Sequence, residues 1–358
     1  MDILKKLDIL CEGANNDLCM PSHKGFSKWI YPASLPQGGI APILKLLMEN
    51  ACIGNCAYCA NRQGRNYETT SISPDELSSI FMQMFQKKLV CGLFLSSTVP
   101  SSPDKTMEKM IKTAEILRNK HKFSGYIHLK IMPKAGDSYI EKAVELADRV
   151  SLNLEAPNPE RLLKIASQKD FIKDLIKPME LARDLILKKK GRAKTETTQF
   201  VVGASDESDY EILKTTDWLY KKLNLHRAYF SAFRPIKGTP LENHPPTLPI
   251  REHRLYQVDF LLRRYGFSLS DIPFDKDGNL PSQYDPKMAW ALSHPEKFPI
   301  EINKASYLEL IKTPGIGPIS AKRIITERRK QRFHSFEDLK AIGILKKAVP
   351  FLLINGKM

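Results

Sequence analysis

Three cysteines with short, unequal spacing form the segment best suited to chemistry. Cys52, Cys56 and Cys59 are separated by three and then two residues, and they follow an apolar run over residues 40–48. A short loop can fold three such thiolates around one face of a cubic iron–sulfur cluster, which leaves one iron open to a small chelator. The alternative is a structural zinc site, but zinc prefers four closed ligands and no fourth Cys or His lies nearby in sequence. We therefore expect an iron–sulfur cluster on this loop.

The elements around this loop predict an alternating α/β fold. Ser73 followed by Pro74, Asp75 and Glu76 marks a helix start, because it combines a cap, a first-turn proline and acids near the positive end of the helix dipole. Such alternation implies parallel strands with right-handed crossovers, in an open sheet or a partial barrel, with the chemistry at the carboxyl ends of the strands. Apolar runs separated by helical periodicity predict six strands, over residues 40–48, 89–95, 125–131, 149–154, 197–202 and 227–231.

The composition favours a well-packed protein with an anionic partner. The 358 residues include 55 Lys and Arg against 40 Asp and Glu, a net charge of +15, and 42% are hydrophobic, which excludes wholesale disorder. Six cysteines are too few for a disulfide-stapled scaffold of this size. The chain begins without an apolar signal core, and its longest clean apolar run is far shorter than the roughly 18 residues of a membrane helix. We expect a cytoplasmic protein that does not bind membranes.

Changes in composition along the chain predict four parts. Five prolines between residues 234 and 249 exclude a regular element there and end the alternating region. The predicted parts are an N-terminal extension over 1–39, the α/β region over 40–235, a Pro-rich linker and helical extension over 236–299, and a small helical domain over 300–358.

A glycine-containing turn in the last part suits the binding of anions. The sequence TPGIG ends at Gly317 and separates two predicted helices, and its amides with the following helix N-terminus form an anion nest. Residues 300–358 contain 12 Lys and Arg but 5 Asp and Glu, a net charge of +7. This segment resembles the helix-hairpin-helix motif, which grips DNA phosphates without reading sequence. The resemblance implies DNA contacts by Gly315, Ile316, Gly317, Lys322 and Arg323. Residues 333–343 resemble a degenerate second copy that lacks Gly-x-Gly, which we expect to be structural.

The cysteine spacing, with an aromatic residue before the last cysteine, resembles the signature of the radical S-adenosylmethionine (SAM) superfamily over about residues 40–235. The resemblance implies a partial (β/α)6 barrel of the TIM type, a [4Fe–4S] cluster, SAM as cofactor, and an electron donor such as flavodoxin or ferredoxin. In that family, one-electron reduction splits SAM into methionine and a 5′-deoxyadenosyl radical, which abstracts a hydrogen atom from the substrate.

The same resemblance implies further cofactor-binding residues by their positions. The family's Gly-Gly-Glu segment, which holds the SAM amino group, is replaced here by three hydroxyl residues after the second strand. Lys130 ends the third strand and is either a cofactor or substrate ligand or an ordinary surface lysine. Cys19 is the one candidate catalytic thiol outside the cluster, and a merely buried cysteine is the alternative. The implied cofactor-binding set is Tyr58, Ser96, Ser97, Thr98, Lys130, Asn153, Glu155, Gly203 and Ser231.

The two motifs in one chain resemble a family of radical SAM proteins assigned to DNA modification and repair, whose partner in many bacteria is a uracil-DNA-glycosylase-like protein. The resembling segments are residues 6–10, 92–97, 126–130, 251–256 and 289–295. We therefore expect a radical enzyme that acts on a DNA base or sugar. One alternative is an RNA-modifying radical SAM enzyme, and another, of a different class, is a non-catalytic, metal-stabilised protein that binds nucleic acid.

Overall fold

The computed structural model describes residues 2–15, 29–34, 38–344 and 346–357, so Cys19 lies outside the described residues. The chain divides into two units by its internal contacts. The first comprises Met1–Glu207 and Trp218–Thr247, and the second comprises Ser208–Asp217 and Leu248–Met358. No helix within the described ranges is long and apolar enough to cross a membrane.

A seven-stranded sheet, curled into a half-barrel, forms the centre of the first unit. The strands lie in the order of the sequence, and all neighbours are parallel except the first pair. The six parallel strands are those predicted from the apolar runs, so the partial (β/α)6 barrel is confirmed. An antiparallel edge strand precedes them and was not predicted. The strands are β1 (Ile30–Ser34), β2 (Ile40–Leu47), β3 (Gly92–Ser96), β4 (Tyr126–Lys130), β5 (Arg149–Ser151), β6 (Thr195–Val202) and β7 (Arg227–Ala232).

Helices connect the parallel strands. The first crossover helix begins at a capping box, in which Ser73 Oγ accepts the Glu76 N–H at 3.2 Å and the Glu76 carboxylate accepts the Ser73 N–H at 2.9 Å. Two π-helical turns, Ile116–Lys120 and Phe171–Ile176, extend or precede the regular helices. The helices are α1 (Ile3–Asn15), α2 (Pro74–Gln86), α3 (Pro103–Glu115), α4 (Asp137–Leu146), α5 (Pro159–Ile165), α6 (Lys177–Leu187) and α7 (Asp209–Leu223).

A polar and aromatic layer crosses the half-barrel. The strand register places Lys45, Phe94 and His128 side by side. The imidazole of His128 stacks on the Phe94 ring at 4.0 Å, and its Nε2 lies 2.8 Å from Ser151 Oγ. Burial lowers the pKa of His128 well below its usual value, and the positive charge of Arg149 lowers it further. The imidazole is therefore neutral at pH 7.

The second unit is mainly helical. Its core consists of buried apolar side chains such as Ile302, Leu310 and Ile324, each 0% exposed, and two short parallel strands pair beside them. The helices are α8 (Pro249–Arg264), α9 (Pro286–Ser293), α10 (Tyr307–Lys312), α11 (Pro318–Lys330) and α12 (Phe336–Ala341), the strands are β8 (Ile300–Glu301) and β9 (Leu352–Leu353), and the 3-10 turns are Leu269–Asp271, Pro295–Lys297 and Lys346–Phe351.

Candidate active site and nucleic-acid interface

The cysteine loop follows β2 and is tied to neighbouring elements by backbone hydrogen bonds. The Ile53 N–H donates to the Val99 carbonyl at 2.8 Å, and the Ala57 N–H donates to the Ile165 carbonyl at 2.7 Å. The hydroxyl of Thr98 lies within hydrogen-bonding distance of two carbonyl oxygens at the start of the loop. These bonds hold the first part of the loop, up to Ala57, at the carboxyl edge of the sheet, where a parallel fold places its chemistry.

All three predicted ligands are half-buried cysteines on this loop that form no disulfide bond. The Gly54 N–H donates to Cys52 Sγ at 3.3 Å, and the Asn61 N–H donates to Cys59 Sγ at 3.4 Å. Such N–H···S bonds favour a charged thiolate and are one means of tuning an iron–sulfur cluster. The Cys59 N–H donates to the Cys56 carbonyl at 3.3 Å, which closes a tight turn between the last two ligands.

The donor set fits a cubic cluster better than a single metal ion. Within the part of the chain that the structure describes, no three His, Cys, Asp or Glu side chains are placed to hold one ion. A single zinc needs its ligands to converge on one point, whereas each cysteine of a cubic cluster binds a different iron. Three thiols spread over one loop satisfy the second requirement.

Tyr58, Glu155 and Lys169 form a polar group beside the thiols. Lys169 Nζ lies 3.5 Å from Glu155 Oε1, and the Tyr58 hydroxyl also hydrogen-bonds to Glu155. Burial raises the pKa of Tyr58 well above its usual value, and the Glu155 carboxylate and the Cys56 thiol raise it further. Burial alone would lower the pKa of Lys169, but the charges of Cys56 and Glu155 raise it overall. The sequence offered no signal for Lys169, which lies in a loop without periodicity.

Two buried serine hydroxyls at the end of β3 form no hydrogen bond with the described residues. Ser96 is 1% exposed, and the buried Oγ atoms of Ser96 and Ser97 have no hydrogen-bond partner among the described residues. A buried hydroxyl without a partner is unfavourable, so such groups are expected where a ligand supplies the missing bond. Thr98, by contrast, uses its hydroxyl to hold the cysteine loop.

The other predicted residues also lie at or just beyond strand ends. Lys130 is the last residue of β4 and is half-buried, and Asn153 follows β5 and is 7% exposed. Gly203 follows β6 with a φ of +85°, and Ser231 lies near the end of β7, opposite Val201. The sheet thus brings all of these positions to one edge, the edge that carries the cysteine loop.

Glu207 and His244 are site residues that the sequence reasoning missed. Buried Glu207 accepts the Gly203 N–H and, at 2.7 Å, the Ser205 hydroxyl. His244 Nε2 lies 2.9 Å from the Gly203 carbonyl. Both groups fix the glycine turn after β6. The Gln199-Phe-Val-Val-Gly203 segment indicated the turn, but neither supporting residue lies in a recognisable motif.

The predicted phosphate-binding turn lies between α10 and α11. Gly315 has a φ of +80°, and a Cβ at this position would lie 2.8 Å from the Ala348 backbone nitrogen, so only glycine fits without a shift. Gly317 is the N-cap of α11, whereas the Ile316 side chain between them is buried. The turn therefore places its backbone, not its side chains, at the amino end of a 13-residue helix.

The two predicted basic contacts on α11 differ in their surroundings. Lys322 is exposed. Arg323 is exposed as well, but its Nη1 donates to the Ile342 carbonyl at 2.6 Å. Arg323 therefore links α11 to the second, glycine-poor hairpin, and Gly343 in that hairpin has a φ of +78°.

Two family models match the segments that contain the cysteine loop and the glycine turn. Residues 47–219 match the family model described as Radical SAM superfamily, and residues 296–349 match the model described as Helix-hairpin-helix motif. No curated protein matches the chain.

Among solved structures, methylornithine synthase (PylB) matches with a TM-score of 0.50 and 14% identity, over 62% of this chain and 61% of that one. The FeFe-hydrogenase maturase HydG from Carboxydothermus hydrogenoformans matches with a TM-score of 0.49 and 16% identity, over 62% and 51%. The radical SAM methyltransferase TsrM from Kitasatospora setae, with cobalamin and a [4Fe–4S] cluster bound, matches with a TM-score of 0.43 and 13% identity, over 63% and 43%. The chain thus spans less than two thirds of each of these proteins, and the likeness to PylB shows the fold alone.

The cysteine loop at the carboxyl edge of a half-barrel and the matching family model lead to the same result. Residues 47–219 match a radical SAM domain, the kind of domain that uses a [4Fe–4S] cluster and SAM, and a match to the helix-hairpin-helix motif follows in the same chain.

Proposed function

We propose that this protein is a radical SAM enzyme that modifies or repairs DNA at a base or sugar. The observation that carries the proposal is the presence, in one chain, of a radical SAM domain and a helix-hairpin-helix motif. The hairpin belongs to a segment with a net charge of +7 over residues 300–358. A motif that binds phosphates independently of sequence is useful to an enzyme whose substrate is a long polyanion.

Different residues at the carboxyl edge of the sheet would bind the cluster and SAM. Cys52, Cys56 and Cys59 would hold the cluster. The hydroxyls of Ser96 and Ser97, which have no hydrogen-bond partner among the described residues, would form hydrogen bonds with SAM. When bound, the cluster and SAM together supply a 5′-deoxyadenosyl radical that removes a hydrogen atom from the substrate.

Several other residues at the same edge of the sheet would also position SAM. Tyr58 would lie against the adenine, and Glu155 and Asn153 would bind the ribose and amino group. Gly203 and Ser231 would approach the adenine edge with their backbone, because Gly203 follows β6 and Ser231 is the penultimate residue of β7. Lys130 would bind the SAM carboxylate or the substrate.

The hairpin would hold the DNA backbone through the turn at Gly315–Gly317, with Lys322 and Arg323 adding positive charge. Binding should therefore weaken steeply with added salt, as expected when phosphate contacts release counterions. A base that reacts in the barrel must first leave the duplex, which costs on the order of a few kcal/mol, so single-stranded or damaged sites should react faster.

Two protein partners belong to the proposal. Radical SAM enzymes need an electron donor, and we propose flavodoxin or ferredoxin for this role. The resemblance to the DNA modification and repair proteins suggests a uracil-DNA-glycosylase-like protein as the second partner. Purified candidates of both kinds should bind the enzyme in a concentration-dependent manner, and the donor should replace dithionite in turnover.

The central test uses anaerobically reconstituted protein. We expect about four irons and four sulfides per chain, and release of 5′-deoxyadenosine when dithionite and SAM are added. Cys56→Ala should abolish this release. Cys91→Ser is the matched control, because Cys91 is exposed and its thiol donates to the Pro42 carbonyl at 3.2 Å, outside the cysteine loop. Unchanged release by Cys56→Ala, or one tightly held zinc without sulfide, would reject the enzyme.

A second experiment identifies the nucleic acid. Duplex DNA, single-stranded DNA and transfer RNA are incubated with the active enzyme, and the digested nucleosides are analysed by mass spectrometry. A new nucleoside from DNA, absent with Cys56→Ala, supports the proposal. A new nucleoside from RNA alone would reassign the substrate to RNA.

A further inference from the structure

A buried lysine in α9 reaches the phosphate-binding turn. Lys287 is 9% exposed, and its Nζ donates a hydrogen bond to the Ile316 carbonyl oxygen. The same ammonium lies 4.9 Å from the centre of the Tyr265 ring, a distance typical of a cation–π contact. A cavity of about 380 Å³ has Lys287, Tyr265 and the turn residues Gly315–Gly317 in its lining. The second unit thus places a cation beside the turn, from a helix outside the hairpin.

The hydrogen bond to Ile316 has a consequence for the next amide. In a planar trans peptide the C=O and the N–H point in opposite directions. When Lys287 holds the Ile316 carbonyl on its own side, the Gly317 N–H must point away from Lys287. Gly317 is the N-cap of α11, so this N–H belongs to the group of amides that an anion would contact at the helix terminus.

The charge of Lys287 is poorly compensated within the described residues. The carboxylate that acts on it most is Asp285, but Asp285 accepts hydrogen bonds from Lys347 Nζ and, at 2.9 Å, from the Met288 N–H. Burial lowers the pKa of Lys287 to about 7; Asp285 opposes the shift and Lys347 adds to it. A buried cation is unfavourable unless it is paired, and an anion at the adjoining turn would supply the missing charge.

We propose that Lys287 is a positioning residue of the nucleic-acid site, which orients the Ile316–Gly317 peptide toward phosphate and adds one positive charge beneath it. The inference rests on the proposed nucleic-acid function and goes beyond it, since the helix-hairpin-helix motif over residues 296–349 does not include this residue.

Phosphate binding should then be linked to proton uptake. In the free protein the Lys287 ammonium is partly deprotonated above pH 7, whereas a bound phosphate stabilises the charged form and raises the pKa. The bound state therefore holds more protons at pH 7–9, and affinity must fall as pH rises through this range. Below pH 6 Lys287 is protonated in both states, so affinity should no longer change with pH through this group.

The test measures binding of the full-length protein to a fluorescent duplex by anisotropy at pH 6.5 and 8.5. Wild type should lose about tenfold in affinity between these values. Lys287→Met should bind about tenfold more weakly than wild type at pH 6.5 and show no such pH dependence. Lys287→Arg keeps the charge but does not titrate in this range, so it should recover most of the affinity and hold it at pH 8.5.

A matched control tests whether the effect depends on the position of Lys287 or only on the loss of one positive charge. Lys276→Met removes an exposed lysine from the loop between Asp275 and Asn279 and should retain the wild-type pH profile. Circular dichroism checks that each variant is folded. If Lys287→Met does not fold, Lys287→Arg still tests the inference. Wild-type binding with an unchanged pH profile in both Lys287 variants would overturn the inference. Absence of binding by wild type would instead overturn the proposed function.

Discussion

The hydroxyl of Thr98 is the most direct structural link between the sheet and the cysteine loop. It lies 3.0 Å from the Glu49 carbonyl and close to the Ala51 carbonyl, and Thr98 is 9% exposed. Thr98→Val keeps the shape of the side chain and removes the hydroxyl. The Glu49 carbonyl still accepts the Thr98 N–H at 3.1 Å, but the Ala51 carbonyl loses the hydroxyl donor.

The size of the effect follows from this difference. Removing a hydroxyl and leaving a partly buried carbonyl without that donor costs about 1–3 kcal/mol. The middle of that range, about 2 kcal/mol, corresponds to roughly a 30-fold shift toward the open form of the loop. Since Ala51 adjoins the first ligand, Cys52, the cost should appear mainly as weaker retention of the cluster.

The assay follows iron transfer from the reconstituted protein to a ferrous chelator under anaerobic conditions. Thr98→Val should release iron at least tenfold faster than wild type. Thr106→Val is the control, because Thr106 is also buried and its hydroxyl donates to the carbonyl of Ser102, the N-cap of α3, at 3.0 Å. Equal release rates for wild type and Thr98→Val, or equally fast release by both variants, would refute the role given to this hydroxyl.

Three further predictions test the turn, the hydroxyls and the polar layer. Gly315→Ala should destabilise the second unit by about 3 kcal/mol, because of the positive φ and the contact with Ala348, while Gly317→Ala, at φ −101°, should cost less than about 1 kcal/mol in urea unfolding. Ser96→Ala should not lower the unfolding free energy without SAM, since its buried hydroxyl has no protein partner to lose, yet it should raise the KM for SAM about tenfold. Lowering the pH from 7 to 5 should destabilise wild type by up to about 2 kcal/mol, because His128 takes up a proton only on unfolding, and His128→Gln should remove that part of the pH dependence.

The alternating core of the fold was predictable because buried parallel strands are nearly continuous apolar runs. The segment at 40–48 and the helix after Ser73 are clear examples, and both lie close to their observed bounds. Strand β1 was not predictable in this way, since its five residues, IYPAS, contain a proline and alternate only weakly. It pairs with β2 as an edge strand, where a proline is tolerated.

The candidate site likewise contains residues that could be predicted from the sequence and residues that could not. Cys52, Cys56 and Cys59 were predictable because their spacing on one loop carries the information by itself. Lys169 and Lys287 were not, because each reaches its partner through the fold, from a segment without periodicity or from a different helix. Glu207 lies within four residues of the groups it binds, but its segment carries no recognisable motif. Arg323 shows a third case, since its type suits phosphate but its guanidinium also serves the second hairpin.

Glu155 occupies a backbone conformation that glycine or asparagine would adopt more easily. Its φ is +67°, yet its backbone is fixed on both sides, accepting the Val201 N–H at 2.8 Å and donating to the Gln199 carbonyl at 2.9 Å. A side chain in this region costs about 1–2 kcal/mol, and here it places a carboxylate against Lys169 and Tyr58. Selection for folding and selection for turnover therefore act in opposite directions at this position. A saturation library sorted for stability should enrich glycine at 155, whereas the same library sorted for SAM cleavage should retain glutamate.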